Sequence, residues 1–153
     1  MLNSGSLIWR QRNARYQQMQ YLRAVLVRRL VAFFGQDDRR IDHALRVLGQ
    51  ADRLMDRYQG CDEAVVIASA LLHDVGIRIS EEKHGCNDGR TQELYGPPAA
   101  EEILEAVGFP ADKTAKVKEI VGNHHSPSRY DYPELALLKE ADRIVNRSEE
   151  RDG

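Results

Sequence analysis

Residues 64–76 read AVVIASALLHDVG, and this stretch decides the fold of the chain. The residues from Ala64 to Leu72 are apolar on nearly every side, which is typical of a helix that runs through the middle of a helical core. His73 and Asp74 close that helix, and Gly76 follows as a stop signal. Imidazole nitrogen and carboxylate oxygen are both ligands that divalent metals accept, so a bound cation would compensate the two polar groups at this position.

Polar residues also fall elsewhere at positions where helical periodicity expects apolar side chains: His43, His124 and Asp142. His124 completes an i, i+3, i+4, i+7 stripe and should point inward, whereas its neighbour His125 should point away. Any one of these residues alone is most simply a hydrogen-bonded core residue. Together with His73 and Asp74 they would leave several uncompensated polar groups, at a cost of about 1–3 kcal/mol each, and a shared metal compensates all of them.

The order of these residues resembles the HD-domain superfamily of metal-dependent phosphohydrolases, which is named for its adjacent His and Asp. Four strings within about residues 37–148 match the style of that family: DHALRV at 42–47, ALLHDVG at 70–76, IVGNHH at 120–125 and KEADRI at 139–144. The resemblance implies an all-α fold and a metal held by four residues: His43, His73, Asp74 and Asp142. We expect one divalent transition metal per chain, drawn from Mn, Fe, Co, Ni and Zn.

Helical periodicity predicts a single compact bundle of about six helices. The predicted helices cover residues 16–34, 37–58, 62–74, 98–107, 111–124 and 133–148. Asp37, Asp62 and Asp112 are suited to helix starts, and Pro133 suits the first turn of the last helix. In domain terms, residues 1–36 form a basic helical extension packed on the core, residues 37–148 the HD domain and residues 149–153 a tail.

Residues 76–98 contain repeated glycines and a Pro97–Pro98 pair, and we predict a long loop over the metal site. Four basic side chains are candidates for binding substrate: Arg46, Lys83, His84 and Lys139. Lys83 and His84 lie in the predicted loop. Arg46 and Lys139 each lie about one helical turn from a proposed ligand. Arg46 could instead be a solvated surface residue, and Lys139 could pair with a neighbouring carboxylate.

The ligand set predicts hydrolysis of a small phosphorylated substrate, a nucleotide or another phosphoester, by a metal-activated water. Asp74 could orient the water as well as bind metal, and His124 is a second catalytic candidate that would contact the phosphate or the water. One alternative is an HD-fold diiron oxygenase, in which His84 and His124 supply extra ligands. Another is a non-catalytic binding module that keeps the metal as a structural pin. Metal content and oxygen consumption distinguish these possibilities.

Composition adds limits on partners. The formal net charge of −2 argues against nucleic-acid binding, and no apolar run reaches the roughly 18 residues that a membrane span needs. Without a recognisable signal peptide, we expect a cytoplasmic protein, and a homo-oligomer is compatible with the sequence. Residues 1–36 contain six arginines and no acidic residue. This basic segment is either a docking surface for an anionic partner or a helix that covers the core with its arginines solvated or paired.

Overall fold

The computed structural model of the protein describes residues 4–153, which form seven α-helices and one short 3₁₀ turn. The elements are α1 (Ser4–Phe34), α2 (Asp38–Leu54), the 3₁₀ turn (Met55–Arg57), α3 (Glu63–Leu72), α4 (Gly76–His84), α5 (Gly89–Ala106), α6 (Ala111–Val121) and α7 (Pro133–Asp152). Residues 4–153 contain no strand, which confirms the predicted all-α fold.

The apolar helix α3 lies at the centre of the bundle. Its residues from Ala64 to Leu72 are all buried, as its continuous apolar sequence predicts, and it packs against α1, α2, α6 and α7. Asp62 caps its first turn, where the carboxylate accepts a hydrogen bond of 3.2 Å from the Val65 amide. Each fully buried leucine in α3 contributes about 1.5–3 kcal/mol through removal of its apolar surface from water. The end of α3, where His73 and Asp74 follow, is therefore held in a fixed position.

Several predicted helix boundaries agree with the structure. Asp37 caps α2, Asp112 lies in the first turn of α6, and Pro133 opens α7. The φ angle of Gly60 is +77° and that of Gly108 is +71°, so both residues end helical segments in the left-handed region that favours glycine.

The loop predicted for residues 76–98 is wrong, because this segment forms α4 and the first part of α5. Gly76 and Gly96 allow helices to approach closely, whereas Gly85 ends α4 with a φ angle of +66°. A Cβ atom added to Gly76 would lie 2.7 Å from the Gly96 amide nitrogen, and one added to Gly96 would lie 2.7 Å from Val121 Cγ1. Pro97 and Pro98 lie inside α5. The glycine and proline content therefore reflects the packing of α4, α5 and α6, which the sequence alone does not specify.

The first and last helices are longer than predicted. The C-terminal half of α1 buries Leu26, Leu30 and Phe34 in the core, whereas residues 5–18 are exposed along their whole length. The last helix continues through residues 149–152, which the sequence analysis assigns to a tail. Within residues 4–153, no helix combines the length and the apolar character that crossing a membrane requires.

Candidate metal centre

The four predicted metal ligands converge from three helices on one point beside the end of α3. His43 comes from α2, His73 and Asp74 follow α3, and Asp142 comes from α7. His43 Nε2 lies 3.0 Å from Asp142 Oδ1 and 3.4 Å from Asp74 Oδ2. His73 Nε2 lies 3.4 Å from Asp142 Oδ1 and 3.3 Å from Asp74 Oδ2. The structure thus brings together all four side chains from separate parts of the sequence.

His124 joins this cluster from the opposite side of Asp74. Its Nε2 atom lies 3.5 Å from Asp74 Oδ1, and its ring centroid lies 5.4 Å from that of His73. The predicted inward direction is confirmed, since His124 is only 6% exposed, although α6 ends at Val121 and His124 lies in the following turn. The Nε2 atoms of His73 and His124 are buried and have no hydrogen-bond partner among the described residues.

The outer ring nitrogens of His73 and His124 fix the tautomers of these two residues. His73 Nδ1 lies 2.8 Å from the carbonyl oxygen of Ala70, and His124 Nδ1 lies 2.6 Å from that of Val121. A carbonyl oxygen can only accept, so each Nδ1 must carry the hydrogen and donate it. His43 differs, because its Nδ1 faces Glu149 and its Nε2 faces Asp142, each at 3.0 Å, so either nitrogen can donate. In their neutral forms, His73 and His124 therefore present the Nε2 lone pair to the cluster, and His43 does so when its hydrogen is on Nδ1.

These lone pairs face carboxylate oxygens, so hydrogen-bond acceptors lie opposite one another. Such an arrangement is unfavourable unless a proton or a cation lies between them. Burial would lower the pKa of His73, but the charge of Asp74 and the nearby Asp142 carboxylate outweigh it and raise the pKa well above its usual value. Burial would raise the pKa of Asp74, but the charge of His73 outweighs it and lowers the pKa well below its usual range. The pKa of Asp142 is lowered in the same way, since the hydrogen bond with His43 and the nearby His73 outweigh burial.

The arrangement therefore fits a divalent cation. A proton can occupy the space between an imidazole and a carboxylate only pair by pair, whereas one cation serves every ligand at once. The possible ligand atoms of His43, His73 and Asp74 lie within 4.8 Å of one another, and Asp142 contacts both histidines. The two unpartnered Nε2 atoms and the donor set of imidazoles and carboxylates suit a borderline transition metal.

A second ligand group shares Asp74 with the first. The possible ligand atoms of Asp74, His124 and His125 also lie within 4.8 Å of one another. His125 does not point away, as the sequence analysis expects, because α6 ends before it and the turn directs its ring to the cluster. The ring centroids of His124 and His125 are 4.0 Å apart, and His125 Nε2 lies 2.7 Å from Gln92 Oε1. Burial and the neighbouring His124 lower the pKa of His125, which favours the neutral form that binds metal.

The cluster opens into a pocket of about 270 Å³ beside the N-terminal part of α2 and the C-terminal part of α7. Two arginines of α2, Arg39 and Arg40, line the pocket together with Gln92 and Asn146. Arg40 is held by Asp37 at 2.7 Å and by Glu81 at 2.6 Å. Arg39 is exposed and forms no ion pair with any residue described in the structure, so it is available to an anion that enters the pocket.

The four side chains predicted to bind substrate do not line this pocket. Arg46 donates to Ser148 at 2.9 Å and approaches Glu149 at 3.7 Å, on the outer face between α2 and α7. Lys139 donates to the Ser126 carbonyl at 2.6 Å, and burial lowers its pKa. At the exposed end of α4, Lys83 lies 4.9 Å from the ring centroid of Tyr95, and His84 lies 2.7 Å from the same tyrosine's hydroxyl.

Residues that the sequence analysis missed lie at the same site. Arg39 precedes His43 by four residues, and Glu149 follows Asp142 by seven, so both share a helix face with a ligand. The sequence shows this periodicity. However, residues on the same face toward either end of a helix show it equally, so periodicity does not tell which end lies at the pocket. No helical periodicity points to Gln92, because the sequence predicts a loop for its segment.

The helical fold and the buried His–Asp cluster define a class of proteins with a metal site inside an α-helical bundle. Residues 40–147 match the family model of the HD domain, and the chain belongs to that family. It is also similar to the crystal structure of a predicted HD superfamily hydrolase from an uncultured Thermotogales bacterium, with 28% sequence identity and a TM-score of 0.57. That match covers 82% of this chain and 66% of the other, just under two thirds of its length. No curated protein matches the chain.

Proposed function

We propose that this HD-domain protein is a metal-dependent phosphohydrolase that acts on a nucleotide or another small phosphoester. The observation that carries the proposal is the convergence of three histidine Nε2 atoms on the carboxylates of Asp74 and Asp142 at 3.0–3.5 Å. The HD family and the predicted hydrolase with a similar structure support the same reaction class.

We assign the tight metal to four ligands: His43, His73, Asp74 and Asp142. A divalent metal there would lower the pKa of a water molecule and offset negative charge on a phosphoryl group. The outer hydrogen bonds to Ala70 and Glu149 hold the His73 and His43 rings in place. Because the fold fixes these ligands before binding, little conformational entropy remains to be lost when the metal enters.

Asp74 and His124 are the proposed catalytic pair. One oxygen of Asp74 faces His43 and His73, and the other faces His124, so Asp74 is placed to bind metal and to orient a water molecule. His124 Nδ1 is committed to the Val121 carbonyl, and its Nε2 faces Asp74 Oδ1, so this nitrogen would lie beside a metal or water bound by Asp74. Burial of His124 keeps bulk water away from this atom.

A phosphorylated substrate fits the charge at the pocket mouth. The unpaired Arg39 offers a planar guanidinium group that can bind two phosphate oxygens. Gln92 and Asn146 add polar groups to the wall. Roles for Arg46, Lys83, His84 and Lys139 in substrate binding stay predictions, since each is engaged elsewhere in the structure.

The proposal is tested with protein purified without chelator. Metal content per chain is measured by elemental analysis, and phosphate release is measured over a panel of nucleotides and other phosphomonoesters, before and after metal removal. We expect about one tightly held metal per chain and phosphate release that metal restores. Fully loaded protein that releases no phosphate from any compound in the panel would favour the binding module.

A diiron oxygenase is the second candidate, and the shared Asp74 favours it. In this structure the second ligand group consists of Asp74, His124 and His125, and the exposed His84 takes no part, contrary to the sequence prediction. Two irons per chain together with oxygen consumption would replace the phosphohydrolase assignment. Loss of one of those irons in His124→Ala would identify the second group as its site.

A further inference from the structure

Two depressions adjoin along one side of α1 and form a groove between this helix and the connection from α5 to α6. Their volumes are about 630 Å³ and about 450 Å³, and both are lined by Tyr21, Val25 and Val107. We call the pair the α1 groove. It follows α1 from Gln11 to Ala32, which is roughly 30 Å of helix. The α1 groove shares no lining residue with the pocket beside the His–Asp cluster, so it is a separate surface.

The middle of the α1 groove is apolar. Leu22 and Val25 of α1 lie on one side, and Val107 and Phe109 lie on the other. Leu22, Val107 and Phe109 pack against the core and are only partly buried, so part of each side chain is left at the groove. An apolar groove between helical elements is typical of a surface that receives apolar side chains from a partner.

The same face of α1 continues beyond the groove into the exposed N-terminal part of the helix. Leu7 precedes Ala14 by seven residues and Tyr21 by fourteen, so these three residues share one face. Leu7 is 58% exposed and Tyr21 is 69% exposed, and they are about 21 Å apart along the helix axis. A partner helix that lies beside α1 would cover both side chains, whereas a small molecule does not reach from one to the other.

The unpaired charge around the α1 groove is positive. Arg15 lines the first depression, and Arg28 and Arg29 line the second. All three arginines are exposed and form no ion pair with any residue described in the structure. Lys113 also lines the groove, but it pairs with Asp62 at 2.9 Å, so these two charges cancel. The complementary occupant is therefore acidic toward both ends and apolar between them.

The charge of the rest of the protein limits which anion suits the groove. Residues 1–36 contain six arginines and no acidic residue, so residues 37–153 carry a formal net charge of −8, against −2 for the whole chain. A long nucleic acid or a lipid surface extends past the groove, where this negative charge would repel it. An acidic helix that lies within the groove keeps its carboxylates near the arginines.

We propose that the α1 groove binds an acidic amphipathic helix of a partner protein. Apolar side chains three and four residues apart on that helix would enter the groove between α1 and Val107, as in other helix-in-groove complexes. Its carboxylates would pair with Arg15 at one end and with Arg28 and Arg29 at the other. This interaction goes beyond the proposed hydrolase activity and does not depend on it, because the groove is separate from the metal site.

Selection from a random peptide library tests the chemistry of the partner. Phage-displayed peptides of about 20 residues, which span about 30 Å as a helix, are selected against the immobilised full chain. The enriched peptides are then synthesised, and fluorescence anisotropy measures their dissociation constants. We expect peptides that combine Asp and Glu with large apolar residues at spacings of three and four, and an affinity that falls with rising salt. Enrichment of basic or uncharged peptides, or of none that binds in solution, would overturn the proposal.

Charge reversal tests whether the selected peptides bind at the α1 groove. The double variant Arg28→Glu, Arg29→Glu should raise their dissociation constant by about tenfold or more, because two attractions become repulsions. Arg147→Glu, Arg151→Glu is the matched control, since both residues are exposed on α7 and line neither depression. Far-UV circular dichroism checks that each variant is folded. Equal losses of affinity in the two double variants would exclude the groove as the binding surface.

Tyr21→Asp tests the apolar part of the groove separately from its arginines. Tyr21 lines both depressions and is largely exposed, so the change leaves the core intact and should raise the dissociation constant by about tenfold or more. Leu94→Asp introduces the same charge at a residue that is 63% exposed on α5, outside the groove, and should leave the affinity unchanged. Equal affinities in Tyr21→Asp and Leu94→Asp would overturn the proposed contact.

The same wild-type protein is tested against three other occupants of the groove. Poly(U) RNA and phosphatidylserine vesicles are titrated by anisotropy and by co-sedimentation, and sedimentation velocity of the chain alone detects a second copy. We expect binding to RNA and vesicles to be weaker than to the selected peptides, and no dimer that depends on the groove. Tighter binding of either anion, or a dimer that Arg28→Glu, Arg29→Glu converts to a monomer, would overturn the assignment of a partner helix.

Discussion

The two ligand groups that share Asp74 differ in how firmly the fold holds them. His43 and His73 are 8% and 0% exposed, and their outer nitrogens are bound to Glu149 and Ala70. His125 is exposed and held by one contact with Gln92. Because a preorganised site loses less entropy on binding, the first group should hold metal tightly and the second weakly. Burial and outer hydrogen bonds therefore distinguish a site that keeps its metal from one that binds metal only at high concentration.

The largest effect is expected from His73→Ala. This change removes a fully buried ligand and takes one imidazole away from both Asp74 and Asp142. Bound metal should be lost, and phosphate release should fall by at least about a thousandfold, as when a metal-activated water is removed. Elemental analysis and a phosphate assay measure both effects, with circular dichroism as the check on folding. Full activity in His73→Ala would exclude the proposed site.

Glu149→Gln tests how the outer contact to His43 contributes. The amide can still accept a hydrogen bond from His43 Nδ1 but carries no charge, so the imidazole becomes a weaker ligand. Metal affinity should fall by about 10–100-fold, the usual effect of losing an outer carboxylate. A competition titration with a metal indicator measures the affinity. Glu150→Gln is the matched control, since Glu150 is exposed on the same helix. Equal metal affinities in both variants would show that the contact between Glu149 and His43 does not contribute to metal binding.

Arg39→Ala compares the two sets of candidate anion-binding residues. Arg39 lines the pocket, whereas Lys83 lies against Tyr95 outside it. The KM for a phosphorylated substrate should rise by about tenfold in Arg39→Ala, which corresponds to losing one charge-assisted hydrogen bond. Because the sequence predicts that Lys83 binds substrate, Lys83→Ala would raise the KM too, but its position outside the pocket predicts a smaller rise than in Arg39→Ala. Steady-state kinetics on both variants decide between these expectations.

The smallest effect on the tight metal is expected from His125→Ala. The first ligand group keeps all its members, so its affinity should stay within about twofold, well under the 1.4 kcal/mol that corresponds to a tenfold change. Only a weak second metal, detected at high metal concentration, should be lost. If His125→Ala removes the tight metal, the contrast between the two groups is wrong and the site needs both of them.

Much of the site could be predicted because its polar residues interrupt strong apolar patterns. His73 and Asp74 end a helix that is apolar throughout, and His43 and Asp142 each interrupt an amphipathic stripe. A buried helix tolerates such interruptions only where something compensates them. The inward direction of His124 is predicted from helical periodicity, but the helix does not reach this residue. Helix α6 ends at Val121, and the following turn sets the direction of the His124 side chain.

The sequence by itself determined that this protein is all-helical, which helix lies at its centre and which side chains meet there, because apolar periodicity and helix-terminal residues act over a few neighbouring positions. Tertiary structure alone decided that most of residues 76–98 is helical, since the close approach that requires glycine at positions 76 and 96 exists only where α4 and α5 pack together. It also decided which end of each ligand helix faces the pocket. Arg39 and Arg46 share a face with His43, and only the packing of α2 against α7 places Arg39 at the opening and Arg46 against Ser148.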